Sequence, residues 1–542
     1  MKASLLFNGH PARNGAAASG AASLAAEFKP ARAPFGSVSA LAPAWRNAVF
    51  FLGITVLAVL YQLRWGTIPD TSWLITVCER VLDGDRLYVD IVETNPPFTI
   101  WLYLPPVALA RALGIAPEIL VHALSYLAAL AGLFFAGRIL RAGRFPETAS
   151  LVALAPAFYA MLVIFPGNAF SQREHIGMAL FVPLLVLVAW RARRDGAPPR
   201  VGIAVLAGLS GSVLLLLKPH YAVMVLLPVL FAVWRRRSLR PVFSVENWVI
   251  GVVCCAYLAA VLTFHPEYLR DVYPLVADTY LRIHSVLPIV LNYGPRWIFL
   301  MALVWLIWPR GTVPELASVA TFASIAALVP LLAQGKGWPY HAFAALLCAV
   351  FALLCLHALA PADRRHQGRT GRSSLAGRAI AALVLAGIVF SYTPFWATEK
   401  PAPGLISPVR AATDHPSVAL IGANIADGHP FNRMVGGRWI ADYGGDWLFN
   451  IARYLSTQAA RAGNSTEAAR YDAIAERYAR AKRGEFARAR PDIVLLRRGR
   501  WAEALFHRFG FDAVLASYHV IAEDSGSVVY LRNGYTAAPA DD

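Results

Sequence analysis

Long apolar runs alternate with short polar clusters along most of this chain. The runs lie at 48–63, 98–113, 119–140, 150–165, 176–190, 201–217, 221–234, 248–264, 297–308, 316–333, 342–359 and 379–392. A helix needs roughly 20 apolar residues to cross about 30 Å of hydrocarbon. The pattern therefore predicts an α-helical polytopic membrane protein with eleven or twelve spans. The run at 98–113 is read as a partial crossing. Pro105 and Pro106 interrupt it, and two full crossings there would put Arg138, Arg141 and Arg144 on the side that the later basic loops avoid. Beyond 396 the apolar runs shorten to strand length, SVALIG and DIVLL, and alternate with charged helical stretches such as TEAARYDAIAERYARAKRGEFARAR. That alternation predicts a small C-terminal α/β extramembrane domain at 396–542. Its end, FDAVLASYHVIAEDSGSVVYLRN, reads as a hairpin turning at Asp524 to Gly526.

Composition supports the membrane class. Of 542 residues 57% are apolar and 15% charged, a balance foreign to soluble proteins. The formal net charge of +17 would point to nucleic acid in a soluble domain. Here the Arg and Lys blocks fall between spans, which sets topology rather than partner. No nucleic acid partner is expected. Residues 1–46, rich in Ala, Gly and Pro, read as a disordered cytoplasmic tail before the membrane module at 47–395. The first loop and the C-terminal domain then lie outside, on the opposite side of the membrane from the tail. The five cysteines show neither a disulfide framework nor metal-ligand spacing.

The first external loop, 64–97, changes the picture most. It carries Asp70, Glu79, Asp83, Asp85, Asp90 and Glu93, far more polar chain than two spans need to be joined. Trp73, Leu74, Val77, Cys78, Val81 and Leu82 recur within it at helical spacing. They predict a short amphipathic helix flat on the bilayer, ending at Gly84. Asp70 is placed either to cap that helix or to face the membrane bundle.

Three further polar clusters fall at span ends on the same side: Ser171-Gln172-Arg173-Glu174-His175, Lys218-Pro219-His220-Tyr221, and Gln334-Gly335-Lys336-Gly337-Trp338-Pro339-Tyr340-His341. Ionisable groups at that depth are expensive unless paired or wetted, so they are candidates for function. Cations beside carboxylates suit chemistry on a lipid phosphate, with a carboxylate handling an acceptor proton. His175 and His341 also read as hydrogen-bonding span ends, and Lys218 as a snorkelling side chain.

The order of first span, Asp70 just beyond it, then LDGDRLYVDIVETNPPF opening the next segment resembles the GT-C class of integral-membrane glycosyltransferases. The likeness is closest to bacterial relatives of protein mannosyltransferases and lipid A aminoarabinose transferases. It implies a GT-C-like bundle and a sugar donor carried on a polyprenyl phosphate. A glycan, lipid or protein of the cell envelope would be the acceptor. It implies catalytic roles for Asp70 and, in SQREH, Glu174. Arg173, Lys218, Lys336 and His341 would hold the donor phosphate, and Asp90, Glu93, Asn95, Tyr221, Trp338 and Tyr340 would line the substrate site. Glu174 stands where the family often has Asp, and Thr71 follows Asp70 where a second acid is common. A divalent cation, magnesium or manganese, held by Asp70 and Glu174 therefore stays open. So do two other readings, a polyprenyl-linked oligosaccharide ligase or polymerase and a lipid-linked sugar transporter.

Overall fold

The computed structural model describes residues 38–63, 67–195, 197–366, 403–499, 505 and 508–536. Residues 1–37 of the tail expected at 1–46, the span at 379–392 and the domain boundary near 396 lie outside them; residues 38–46, expected as tail, are helical. The helices before the C-terminal region are α1 (Val38–Leu63), α2 (Pro69–Leu82), α3 (Phe98–Leu113), α4 (Pro117–Ala142), α5 (Thr148–Ala153), α6 (Ala155–Val163), α7 (Arg173–Ala192) and α8 (Val201–Leu217). They continue as α9 (Val223–Arg236), α10 (Val245–Phe264), α11 (Tyr273–Asp278), α12 (Val286–Leu306), α13 (Glu315–Ala326), α14 (Leu328–Gln334) and α15 (Pro339–His366).

Six helical stretches among the described residues are long and apolar enough to cross a membrane: α4, α7, α10, α12, α13 with α14, and α15. Three shorter apolar helices, Ala48–Leu63, Phe98–Leu113 and Val201–Leu217, accompany them. At 1.5 Å per residue α3 is about 24 Å long. Some runs differ from expectation, among them that at 316–333, which is divided at Ala327 into α13 and α14. The one at 150–165 is split at Leu154, just before Pro156, into α5 and α6. The one expected to start at 297 begins at Val286 and absorbs Pro295.

Two helices are buried by their neighbours: α7 is packed by α4, α8, α9, α13 and α15, and α15 lies against α7, α12 and α13. By contrast α10 leaves Trp248, Val252, Leu258 and Leu262 uncovered, and α12 leaves Leu291, Phe299 and Trp305 uncovered. A contiguous apolar exterior of that kind needs an apolar surrounding, and lipid supplies it.

The C-terminal region is a five-stranded sheet in the order β2-β1-β3-β5-β4. Here β1 is Ser417–Ile421, β2 Arg438–Trp439, β3 Ile493–Arg497, β4 Tyr518–Glu523 and β5 Ser527–Arg532. β1 runs parallel to β2 and β3, while β5 runs antiparallel to β3 and β4. The hairpin turns at Asp524 to Gly526 as expected, with Asp524 Oδ1 accepting from the amides of Gly526 (2.8 Å) and Ser527 (2.6 Å). The period of two divides β1 and β3 cleanly. Ala419, Ile421, Val494 and Leu496 face the helices Trp447–Arg461 and Ser465–Ala489, whereas Val418, Leu420, Ile493 and Leu495 join the core that contains Trp73.

That second face corrects the expectation for α2. The helix does not lie flat with one face open: Pro69 and Thr71 to Cys78 are all buried. Protein covers both sides. Arg433 of the C-terminal region pairs with Glu79 of α2 and Glu118 of α4. Arg80 Nη1 donates to the carbonyls of Trp439 (3.3 Å) and Ala441 (3.1 Å). Val92 forms a parallel bridge with Tyr443, its amide donating to Asp442 O at 2.7 Å.

Candidate active site

The site is assembled at helix ends. α2 starts with Pro69 at its first position, where a missing N–H is harmless. Asp70 follows, and its side chain makes no capping bond. Instead Asp70 Oδ2 accepts from Gln172 Nε2 at 2.9 Å and lies 4.0 Å from Arg173 Nη1. Gln172 is the N-cap of α7, its Oε1 accepting from the Arg173 amide at 2.7 Å. One side chain thus caps a buried helix and fixes a carboxylate about a hundred residues away.

The turn before α7 is tightly held. Ser171 has a left-handed φ of 65°, a conformation that persists in a non-glycine residue only when its surroundings impose it. Its carbonyl accepts from Tyr103 Oη (2.6 Å) and Thr71 Oγ1 (3.3 Å). Its amide donates to His175 Nδ1 at 3.1 Å, so the proton of that ring sits on Nε2, which donates to Leu162 O at 2.6 Å. Both nitrogens of His175 are spent on backbone. It is a brace.

Glu174, 1% exposed, points into the bundle. Its Oε1 lies 2.8 Å from Lys218 Nζ and 3.6 Å from Arg173 Nε as an ion pair, while neither Oε1 nor Oε2 meets a partner in hydrogen-bond geometry. Lys218 is not a snorkelling residue. It sits in extended backbone just after α8, pairs with Glu174 and donates to Gln334 Oε1 at the end of α14. Tyr340 closes this side, its ring centroid 6.0 Å from the Arg173 guanidinium carbon and 5.8 Å from Lys218 Nζ. Tyr221 and His341 are buried alongside. Asp70, Arg173, Glu174, Lys218 and Tyr340 therefore converge, although they come from four distant parts of the chain.

The other candidates have different surroundings. Glu93 is not solvated: at 2% exposure it accepts from Trp73 Nε1 (2.5 Å), the Asn95 amide (2.8 Å) and Asn95 Nδ2. Asn95 Oδ1 in turn accepts from Arg173 Nη2 at 3.3 Å. Asp90 is exposed and accepts from the Arg86 amide, a turn contact away from the cluster. Lys336 donates to the carbonyls of Tyr280 and Ile283 and lies 4.3 Å from the Tyr280 ring centroid. Burial brings its ammonium down to about 8. Lys336 thus fastens the segment between α11 and α12 rather than facing Glu174, and Trp338 Nε1 donates to Tyr280 Oη at 3.4 Å in the same patch. The flanking glycines have a reason here: Gly335 and Gly337 both have positive φ, and a Cβ on Gly335 would sit 2.3 Å from the His284 ring.

Reading by polar clusters assigns no role to Gln172, Gln334, Trp73 or Tyr280. A Gln ahead of a buried helix and another at a helix end were the available signals. Trp73, on the apolar face of an amphipathic pattern, gave none.

Among the described residues no group of three or more His, Cys, Asp or Glu side chains converges as metal ligands. The pair Asp70 and Glu174 does not fit a divalent cation, because each already faces a positive side chain and Arg173 stands between them. Searches against models of known protein families and against curated proteins return no match to this chain.

Proposed function

We propose that this chain is a membrane glycosyltransferase that moves a sugar from a polyprenyl-phosphate donor to a cell-envelope acceptor, at the periplasmic face of a bacterial inner membrane. The carrying observation is the buried cluster itself: Glu174 between Arg173 and Lys218, with Asp70 held at its edge by Gln172. Asp70, 23% exposed, is the member open to an incoming molecule.

The donor is a phosphodiester with one negative charge. As the acceptor oxygen bonds to the anomeric carbon, the bond from that carbon to the phosphate oxygen breaks and the leaving phosphate gains a second charge. Arg173 and Lys218 stabilise that charge where it develops, and Asp70 takes the acceptor's proton. An apolar groove supports a lipid carrier. Ile289, Tyr293, Trp297, Leu328, Leu331 and Ala345 line it between α12, α14 and α15. It begins beside the Lys336 turn, where Tyr293 Oη donates to Gly337 O at 2.8 Å.

The test is transfer from radiolabelled polyprenyl-phosphate sugars by purified full-length protein. Asp70→Asn, which keeps an acceptor for Gln172, is expected to lose roughly 10²–10⁴-fold in kcat while still binding donor. Turnover equal to wild type removes Asp70 as the base. Donor binding and movement across the bilayer without any transfer would favour a transporter.

A further inference from the structure

We infer that Glu93 is a positioning residue for the cationic cluster, and that the C-terminal domain acts on the site by seating Trp73 on it. The contacts run in one line. Trp73 is 3% exposed and enclosed by the C-terminal region, its ring 5.2 Å from that of His429 and 6.2 Å from that of Trp439, centroid to centroid. Gly444 comes so close that a Cβ there would lie 2.9 Å from the indole. With the ring fixed, its one polar atom, Nε1, points at Glu93 Oε2 (2.5 Å). Glu93 Oε1 then takes both the amide and the side-chain nitrogen of Asn95. That settles which way the Asn95 amide faces: nitrogen to Glu93, oxygen to Arg173 Nη2 at 3.3 Å. Without Glu93 the Asn95 side chain is free to turn its nitrogen toward a guanidinium, where two donors meet and no bond forms.

Glu93 is suited to this because a carboxylate only accepts. Each of its oxygens faces donors, Trp73 on one side, Asn95 on the other. An isosteric glutamine must put its NH2 against one of those sets. The volume is kept and the polarity fails, and the loss of a correctly paired buried group is expensive. The conflict is relieved if the Trp73 donor is also removed, since glutamine then keeps its oxygen toward Asn95 and turns its nitrogen to the emptied side. Rescue by the second change reads the donor conflict itself, and the readouts at residues 172–175 and in phosphate binding show whether that conflict reaches Arg173.

The experiment compares full-length wild type, Trp73→Phe, Glu93→Gln and the double variant in two assays. One is affinity for a polyprenyl phosphate in detergent. The other is deuterium exchange at residues 92–97 and 172–175. Glu93→Gln is expected to weaken binding about tenfold or more and to raise exchange in both segments together. Trp73→Phe alone does less, and the double variant regains most of both losses. A double variant no better than Glu93→Gln overturns the inference, as does Glu93→Gln behaving like wild type. If Glu93→Gln alone fails to fold, recovery of folded protein in the double variant reads the same contact, and failure of both contradicts it. The binding assay rests on the glycosyltransferase reading, the exchange assay does not. Wild type that binds no polyprenyl phosphate but shows the exchange pattern would sink that reading and leave the positioning role standing.

Discussion

Two buried lysine–carboxylate pairs in this molecule differ in what surrounds them. In the C-terminal domain Lys482 pairs with Asp446, which is fully buried. Asp446 Oδ1 also accepts from Tyr478 Oη (2.7 Å), Oδ2 accepts from the Gly422 amide (2.9 Å), and Lys482 donates again to Leu420 O (2.5 Å). Every polar group is used, and the pair ties the end of β1 to two helices. At the bundle end Lys218 pairs with Glu174, equally buried, yet both Glu174 carboxylate oxygens and Arg173 Nε are without a partner in hydrogen-bond geometry. Buried polar atoms are nearly always satisfied, so an exception calls for a reason. A closed network holds a fold together. An open one is what the proposed donor site requires.

The largest effect should come from the closed pair. Asp446→Asn leaves the Lys482 charge unpaired and sets an amide NH2 against donors, so we expect a loss of about 3–5 kcal/mol in stability, read as a lowered melting temperature of the purified protein. Glu174→Gln also takes the buried counter-charge from Lys218, but its NH2 need not face a donor, so it should cost less than Asp446→Asn. It should also tighten polyprenyl-phosphate binding about tenfold, near 1.4 kcal/mol, by removing a competing anion. Equal destabilisation by the two substitutions would erase the distinction.

A smaller effect concerns pH at the seam between the regions. Glu485 accepts from the Asp442 amide (3.1 Å), and the Asp442 carbonyl holds Val92. Burial, with Asp442 beside it, raises the Glu485 carboxyl to about 7. Asp442 is raised too, by its own burial. A raised acid holds its proton longer in the folded protein. The stability it contributes is complete below the ordinary carboxylate range and is lost as pH climbs to about 7. Melting followed from pH 5 to 8 should therefore show stability falling by roughly 1–3 kcal/mol, and Glu485→Gln should flatten the slope. An unchanged slope in that variant would place the titrating group elsewhere.

Much of this was legible in the residues. Hydropathy located the long helices, and the alternation in SVALIG and DIVLL located β1 and β3. The polar clusters at span ends named Arg173, Glu174 and Lys218 because charge at a helix end is conspicuous in an apolar chain. What the pattern could not carry was partnership. Nothing near Glu93 distinguishes a solvated loop acid from one sealed beneath Trp73, since the cover comes from residues some 350 positions later. Lys336 misled for a related reason. A lysine between glycines signals close approach of backbone, and the backbone it approaches is that of Tyr280 and Ile283.

The most direct measurement is the affinity of purified full-length protein for polyprenyl phosphate, set against the uncharged polyprenol, in wild type and Lys218→Met. If the open pair receives an anionic headgroup, wild type prefers the phosphate and the variant loses about 10–100-fold, the worth of one charged hydrogen bond, while polyprenol binding is unmoved. Equal affinity for phosphate in the two proteins would contradict the account.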